Sequence, residues 1–252
     1  MSNSNKFKKF IWGVIFVFAA IACIVATVYI ILNFVPSNNS KQYITTAATS
    51  EAETEPFDTH NINWKKFEDN TDIYAWIYIP HTKVDYPVAQ SGKGRDDFFY
   101  LSHNAEGEYE FAGTIYSEKE NSKDFSDPVT ILYGHNMLNG TMFAGLHKFE
   151  KKTFFDDNKY IYIYTPDRKL TYEIYAAYQY DDKHILNSFD FSDDKVLLKY
   201  FKSTLNPKSE ISNTRPVDLD VNSKTITLST CTNGSADTRY LVTGVLIKDE
   251  HK

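Results

Sequence analysis

The sequence predicts a mainly β protein carried on one N-terminal membrane helix, and three observations lead there. Residues 10–35 contain no charged side chain. From residue 57 onward the chain breaks into short runs rich in Ile, Val, Thr and Tyr, bounded by Pro, Gly, Asn or Asp. The 18 Tyr and 18 Phe among 252 residues, against only 10 Gly and 8 Pro, supply a core and exclude collagen-like, low-complexity and globally disordered chains.

Residues 1–9 hold Lys6, Lys8 and Lys9, and the next charge after the apolar run is Lys41. A helix needs roughly 20 apolar residues to cross a bilayer, so residues 10–35 suffice. The positive-inside rule then puts residues 1–9 in the cytoplasm and the rest outside. A cleaved signal peptide has an apolar core of about 7–15 residues followed by small residues. Here Ile30, Ile31, Leu32, Phe34 and Val35 prolong the run, and a lipid-modified Cys23 would still lie inside it. Residues 36–56, rich in Ser, Thr, Asn and Ala, read as a flexible extracellular linker to a domain over residues 57–252.

The net charge of −6, from 27 basic and 33 acidic residues, becomes more negative once the three N-terminal lysines are set aside. That balance argues against nucleic acid and against long-range attraction to anionic lipid. Two cysteines make neither a disulfide framework nor a Cys-rich zinc site.

Within the domain, strands are expected at residues 73–79, 84–89, 113–116, 129–133, 160–164, 170–178, 225–231 and 240–247. Eight short strands with few long helices make an antiparallel or mixed barrel or sandwich. One or two helical turns are expected over residues 63–70. A longer helix is expected over residues 192–205, where Ser192 or Asp193 is the N-cap and Pro207 is the stop. Val196, Leu197, Tyr200, Phe201 and Leu205 give it a 3.6-residue apolar period. There is no internal repeat, phosphate-binding Gly loop or His-Glu-x-x-His helix.

Cys231 is the only cysteine beyond the membrane segment. In an oxidising exterior an unpaired thiol is either buried and inert or reactive. Strand alternation puts Ile226 and Leu228 on one face and Cys231 with Thr225, Thr227 and Ser229 on a polar one. Residues 232–235 then turn the chain, which places the thiol at a strand end suited to reaction. An ordinary thiol is only a few per cent thiolate at pH 7, so a nucleophile needs cationic or basic neighbours. Arg239 lies eight residues on and opens the next strand, so a hairpin sets it beside Cys231. Among seven histidines, His251 is near the C-terminus and His60 borders the linker. His135 stands out because it leaves an apolar strand at a loop, where a rigid sheet holds catalytic groups. His81, His103, His147 and His184 stay open on chemistry alone.

Tyr133-Gly134-His135-Asn136-Met137, Thr227-Leu228-Ser229-Thr230-Cys231 and Arg239-Tyr240 together resemble the signature of the sortases, membrane-anchored cysteine transpeptidases of Gram-positive bacteria. The likeness runs from about residue 57 to residue 247. The Tyr-Gly-His-Asn-Met form, the helical lead-in and the helix before the cysteine strand are similar to class B members. The resemblance implies an eight-stranded β-barrel over a catalytic domain of residues 57–252. It implies Cys231 as nucleophile, His135 as general acid and base, and Arg239 as oxyanion stabiliser. Ser229 and Tyr133 become candidate substrate contacts. It also implies sorting-signal-bearing surface proteins as substrates, with Pro-x-Thr-Gly or Asn-Pro-x-Thr-Asn-like signals. The acceptor it implies is an amine of the peptidoglycan cross-bridge or lipid II, or a pilin lysine. Class A members can bind calcium, but no acidic site here matches, and no metal or other cofactor is expected.

Two other functions compete with this one. A hydrolytic cysteine protease would use the same residues with water as acceptor, and a tethered binding module would not need its thiol. An L,D-transpeptidase is disfavoured, because Thr230 stands where that pattern has Gly and Arg239 is too distant. With ordinary pKa values the thiolate–imidazolium pair would be roughly one per cent of molecules near pH 7, so slow turnover is expected.

Overall fold

The computed structural model describes Trp12, residues 15–27, Tyr43, residues 58–232 and residues 235–252. Two units emerge, Met1–Ser37 and Asn38–Lys252. In the first, residues 15–27 are helical, with Phe16, Phe18, Ile24 and Val25 exposed. Among the described residues no helix is long and apolar enough to cross a membrane. The remainder of the expected span lies outside the described residues, as does the expected linker apart from Tyr43.

In the second unit the β-branched and aromatic runs form nine strands. These are β1 (Ile73–Tyr78), β2 (Asp85–Gln90), β3 (Ile115–Ser117), β4 (Val129–Tyr133), β5 (Tyr160–Tyr164), β6 (Arg168–Asp181), β7 (Ser212–Thr214), β8 (Thr225–Thr232) and β9 (Ser235–His251). Eight close a ring in the order β5-β1-β2-β3-β4-β8-β9-β6, sealed by β5–β6 pairing. These are the eight expected strands. The ninth, β7, joins the later part of β6 at Ala176–Tyr178 and was missed because Ser212-Asn213-Thr214 carries no apolar alternation. β6 and β9 also outrun their expected bounds, since each pairs the other from Arg168↔His251 to Asp181↔Thr238. Two register shifts in that pairing, near Thr171 and near Ile174, let the long strand bend around the ring.

The ring interior is packed with Ile77, Val88, Ile115, Leu132, Ile163, Leu228 and Val242, all buried. Outside it lies the expected helix, observed as Asp194–Leu205 and capped by Asp193, whose carboxylate accepts the Lys195 N–H at 2.8 Å. Its Leu197, Tyr200 and Phe201 pack on Val129, Ile131, Leu241 and Val245. Each of these burials stabilises the fold by about 1.5–3 kcal/mol. The polar face of β8 is buried along most of its length: Thr225, Thr227 and Ser229 are all covered. The cluster around this helix covers the outer side of the sheet, and only Cys231, beyond it, is exposed. The expected lead-in turns are a 3₁₀ helix, Trp64–Phe67, whose Phe67 joins Tyr43, Trp76 and Tyr100 in a third cluster.

Candidate active site

The site is built where β4 and β8 run parallel, with Tyr133 opposite Ser229. One residue past β4, the Gly134 N–H donates to the Ser229 carbonyl at 3.2 Å, and the Gly134 carbonyl accepts the Thr230 hydroxyl at 2.7 Å. These two bonds stitch the exit of β4 to the end of β8. A side chain has no room at Gly134: its Cβ would stand 2.5 Å from Ile115 Cδ1 and 2.8 Å from the Phe143 ring. The Ile115 tip can rotate, but the buried Phe143 ring has nowhere to go. Gly134→Ala is therefore expected to cost about 1–3 kcal/mol, read as a fall in the chemical-denaturation midpoint.

His135 follows at once. Its Nε2 lies 2.9 Å from the Leu101 carbonyl and its ring stacks on Phe111 at 5.6 Å. A carbonyl only accepts, so Nε2 carries the proton and Nδ1 is left as the basic nitrogen. Burial holds the imidazole pKa below its ordinary value, opposed by the Leu101 hydrogen bond. Cys231 and Arg239 sit directly opposite each other across β8 and β9, as the hairpin spacing predicts. Arg239 Nη1 donates to the Thr238 carbonyl at 3.2 Å.

Tyr133, His135, Ser229, Cys231 and Arg239 all line one cavity of about 300 Å³. Glu118, on its wall, has no signal in the sequence, and His184 beside it is one of the histidines left open on chemistry alone. Glu118, only 2% exposed, accepts from His184 Nε2 at 2.7 Å and from the Tyr133 hydroxyl at 3.3 Å. Burial pushes its carboxyl pKa up, and the His184 contact pulls it back. His184 Nδ1 in turn accepts the Asn187 N–H at 3.2 Å, capping the short helix Ile185–Ser188. The Tyr133 hydroxyl is thus held by a buried carboxylate.

The other histidines are engaged elsewhere: His60 with Asp85, His81 with Asn158, His103 with the Phe99 carbonyl and His251 with Asp249. His147 bonds at the back of Cys231. Among the described residues no cluster of three or more His, Cys, Asp or Glu is placed to hold a metal ion.

A thiol, an imidazole and a guanidinium around one cavity suit nucleophilic acyl transfer. A family model for the sortase domain matches residues 77–247. The chain belongs to the sortase family. This sortase is 32% identical to sortase B of Listeria monocytogenes over 162 residues, covering 64% of this chain and 63% of that relative. The match thus spans a little under two thirds of the Listeria protein. Sortase B of Staphylococcus aureus is 30% identical over 181 residues, covering 71% of this sortase and 72% of that protein. The X-ray structure of Clostridium perfringens sortase B matches with a TM-score of 0.62 at 34% identity, covering 73% of this sortase and 99% of that chain. These likenesses are to class B, as the motif form predicts.

Proposed function

We propose that this sortase is a cysteine transpeptidase that joins secreted proteins to a cell-wall amine. The meeting of Cys231, Arg239 and His135 at one cavity carries the reading. Cys231 passes its thiol proton to His135, and the thiolate attacks the Thr carbonyl at the Thr–Gly or Thr–Asn bond of a Pro-x-Thr-Gly or Pro-x-Thr-Asn-like signal. An S–C bond forms and the C–N bond breaks, while His135 gives its proton to the leaving amine. The cross-bridge or lipid II amine then attacks the thioester, yields its proton to His135 and frees the thiol. Arg239 faces the oxyanion in both steps. Tyr133, anchored on Glu118, and Ser229 contact the signal peptide.

Residues 10–35 are the membrane anchor in this reading. They leave residues 1–9 in the cytoplasm, residues 36–56 as linker and residues 57–252 as the extracellular catalytic domain. The exposed apolar side chains of residues 15–27 support that placement.

The test incubates the full chain in detergent micelles with Pro-x-Thr-Gly and Pro-x-Thr-Asn peptides plus oligoglycine or a diaminopimelate-type amine. Mass spectrometry is expected to show a thioester on Cys231 and an amine-exchanged product. Cleavage indifferent to amine would instead mean a hydrolytic protease, and no adduct with any peptide would favour a binding role. In the same assay Arg239→Lys is expected to lower kcat about 10²–10³-fold, because an ammonium cannot reproduce the planar fork facing the oxyanion.

A further inference from the structure

The β8–β9 ladder is irregular just where the nucleophile sits. Pairing with β9 is regular as far as Cys231↔Arg239 and then shifts register between Cys231 and Thr232. The carbonyl of Cys231 is held from elsewhere. Asn136 Nδ2 donates to it at 3.0 Å, and His147 Nε2 lies 3.1 Å from it. The same His147 nitrogen is 3.1 Å from Asn136 Nδ2. On the far side of the ring, His147 Nδ1 is 2.6 Å from Glu150 Oε1.

His147 and Glu150 come from one 3₁₀ segment, Phe143–Glu150, and the His147 ring stacks on buried Tyr240, the neighbour of Arg239, at 5.0 Å. That segment is itself tied to the β4 exit, since the Phe143 N–H donates to the His135 carbonyl at 2.9 Å.

Donor and acceptor chemistry orders the cluster. An ionised carboxylate accepts only, so Nδ1 of His147 carries a proton directed at Glu150. With the imidazole neutral, Nε2 is an acceptor, and the two amide protons of Asn136 are shared between it and the Cys231 carbonyl. With the imidazole charged, Nε2–H donates to that carbonyl beside Asn136. Either way the carbonyl is held. No peptide bond among the described residues is cis, so fixing this C=O fixes the opposite direction of the Thr232 N–H.

We propose that Asn136, His147 and Glu150 are positioning residues for the nucleophile. They lock the Cys231–Thr232 peptide plane, and with it the orientation of Cys231, at the point where the β8–β9 ladder shifts register. The inference rests on the transpeptidase reading for its kinetic consequence, but not for its structural one.

The test compares full-length His147→Ala, Glu150→Ala, the double variant and Glu150→Gln in detergent micelles. His147→Ala is expected to lower kcat about 10- to 100-fold with KM for the signal peptide nearly unchanged, the size of effect that small misplacement produces. Glu150 acts through His147, so the double variant should be no slower than His147→Ala alone. Glu150→Gln keeps an acceptor for Nδ1–H and should recover most of the rate lost in Glu150→Ala. Hydrogen exchange at the Thr232 amide should quicken about tenfold in His147→Ala while the buried part of β8 stays protected.

Losses that multiply in the double variant, or a Glu150→Gln as slow as Glu150→Ala, would overturn the proposal. So would a His147→Ala with wild-type kcat. If the wild-type chain turns over no peptide, the functional reading falls by itself. Amide exchange at Thr232 then decides the positioning claim, and unchanged protection would sink it.

Discussion

Cys231→Ala is expected to abolish both the thioester and the amine-exchanged product, a loss of roughly 10⁴–10⁶-fold in kcat, as for removal of other enzymatic nucleophiles. The size of the effect follows from the absence of a substitute: Cys23, in the other unit, is the only other thiol in the chain. The variant should nonetheless fold. Cys231 is exposed, at the end of a strand whose preceding six residues are buried. Its backbone partners, Asn136 and His147, bind the carbonyl and not the side chain. A stability change within about 0.5 kcal/mol is therefore expected. Peptide binding without turnover, measured by titration calorimetry on the variant, would complete the result. Turnover within a hundredfold of wild type would refute the nucleophile assignment.

His135→Gln should lower kcat by about 10²–10⁴-fold, the range for a lost general acid and base. Glutamine retains an amide N–H for the Leu101 carbonyl and so separates proton transfer from packing. In the wild-type enzyme the pH profile of kcat/KM should be bell-shaped, its acid limb lying below the ordinary imidazole value. Burial of His135 sets that direction. The stability consequence has the same origin. A folded chain that binds this proton more weakly than the unfolded chain does holds a contribution to stability above the ordinary imidazole value. That contribution is lost as pH falls through the lowered one. A histidine NMR titration checks both statements, and a His135 value far above 8 with fast turnover would contradict them. A lowered value makes the thiolate–imidazolium pair rarer still, so slow turnover near neutral pH is the expected behaviour.

Much of this was legible in the chain itself. Runs such as Val129-Thr130-Ile131-Leu132-Tyr133 read as strands, their number points to a barrel or sandwich, and the sortase resemblance selects the eight-stranded barrel. The eight-residue interval from Cys231 to Arg239 fits a hairpin and is one. What local pattern could not show depends on distant partners. The threonine face of β8 reads as polar, and nothing local shows that it is covered, because the helix that covers it, Asp194–Leu205, lies on the far side of β7 in the chain. β7 has no apolar period of its own and exists because β6 offers an edge. Asn136 stood inside the histidine motif, yet its bond to a carbonyl 95 residues away has no local signature. His147 and Glu150 are three apart, a spacing that could have suggested a pair, but nothing local ties them to Cys231. Tyr43, in a stretch that reads as linker, is buried against Phe67.

The parallel pairing of β4 with β8 bears on when the enzyme first becomes active. The two strands that bring His135 and Cys231 to one cavity are far apart in the chain, and β9, which follows the other eight strands in sequence, completes the ring between β8 and β6. Such non-local closure slows folding, because the entropy of a long loop is lost before its contacts form. A chain emerging N-terminus first therefore gains Cys231 only in the eighth strand, after the seven before it have been made, and the nucleophile is armed only once β9 has zipped in beside it.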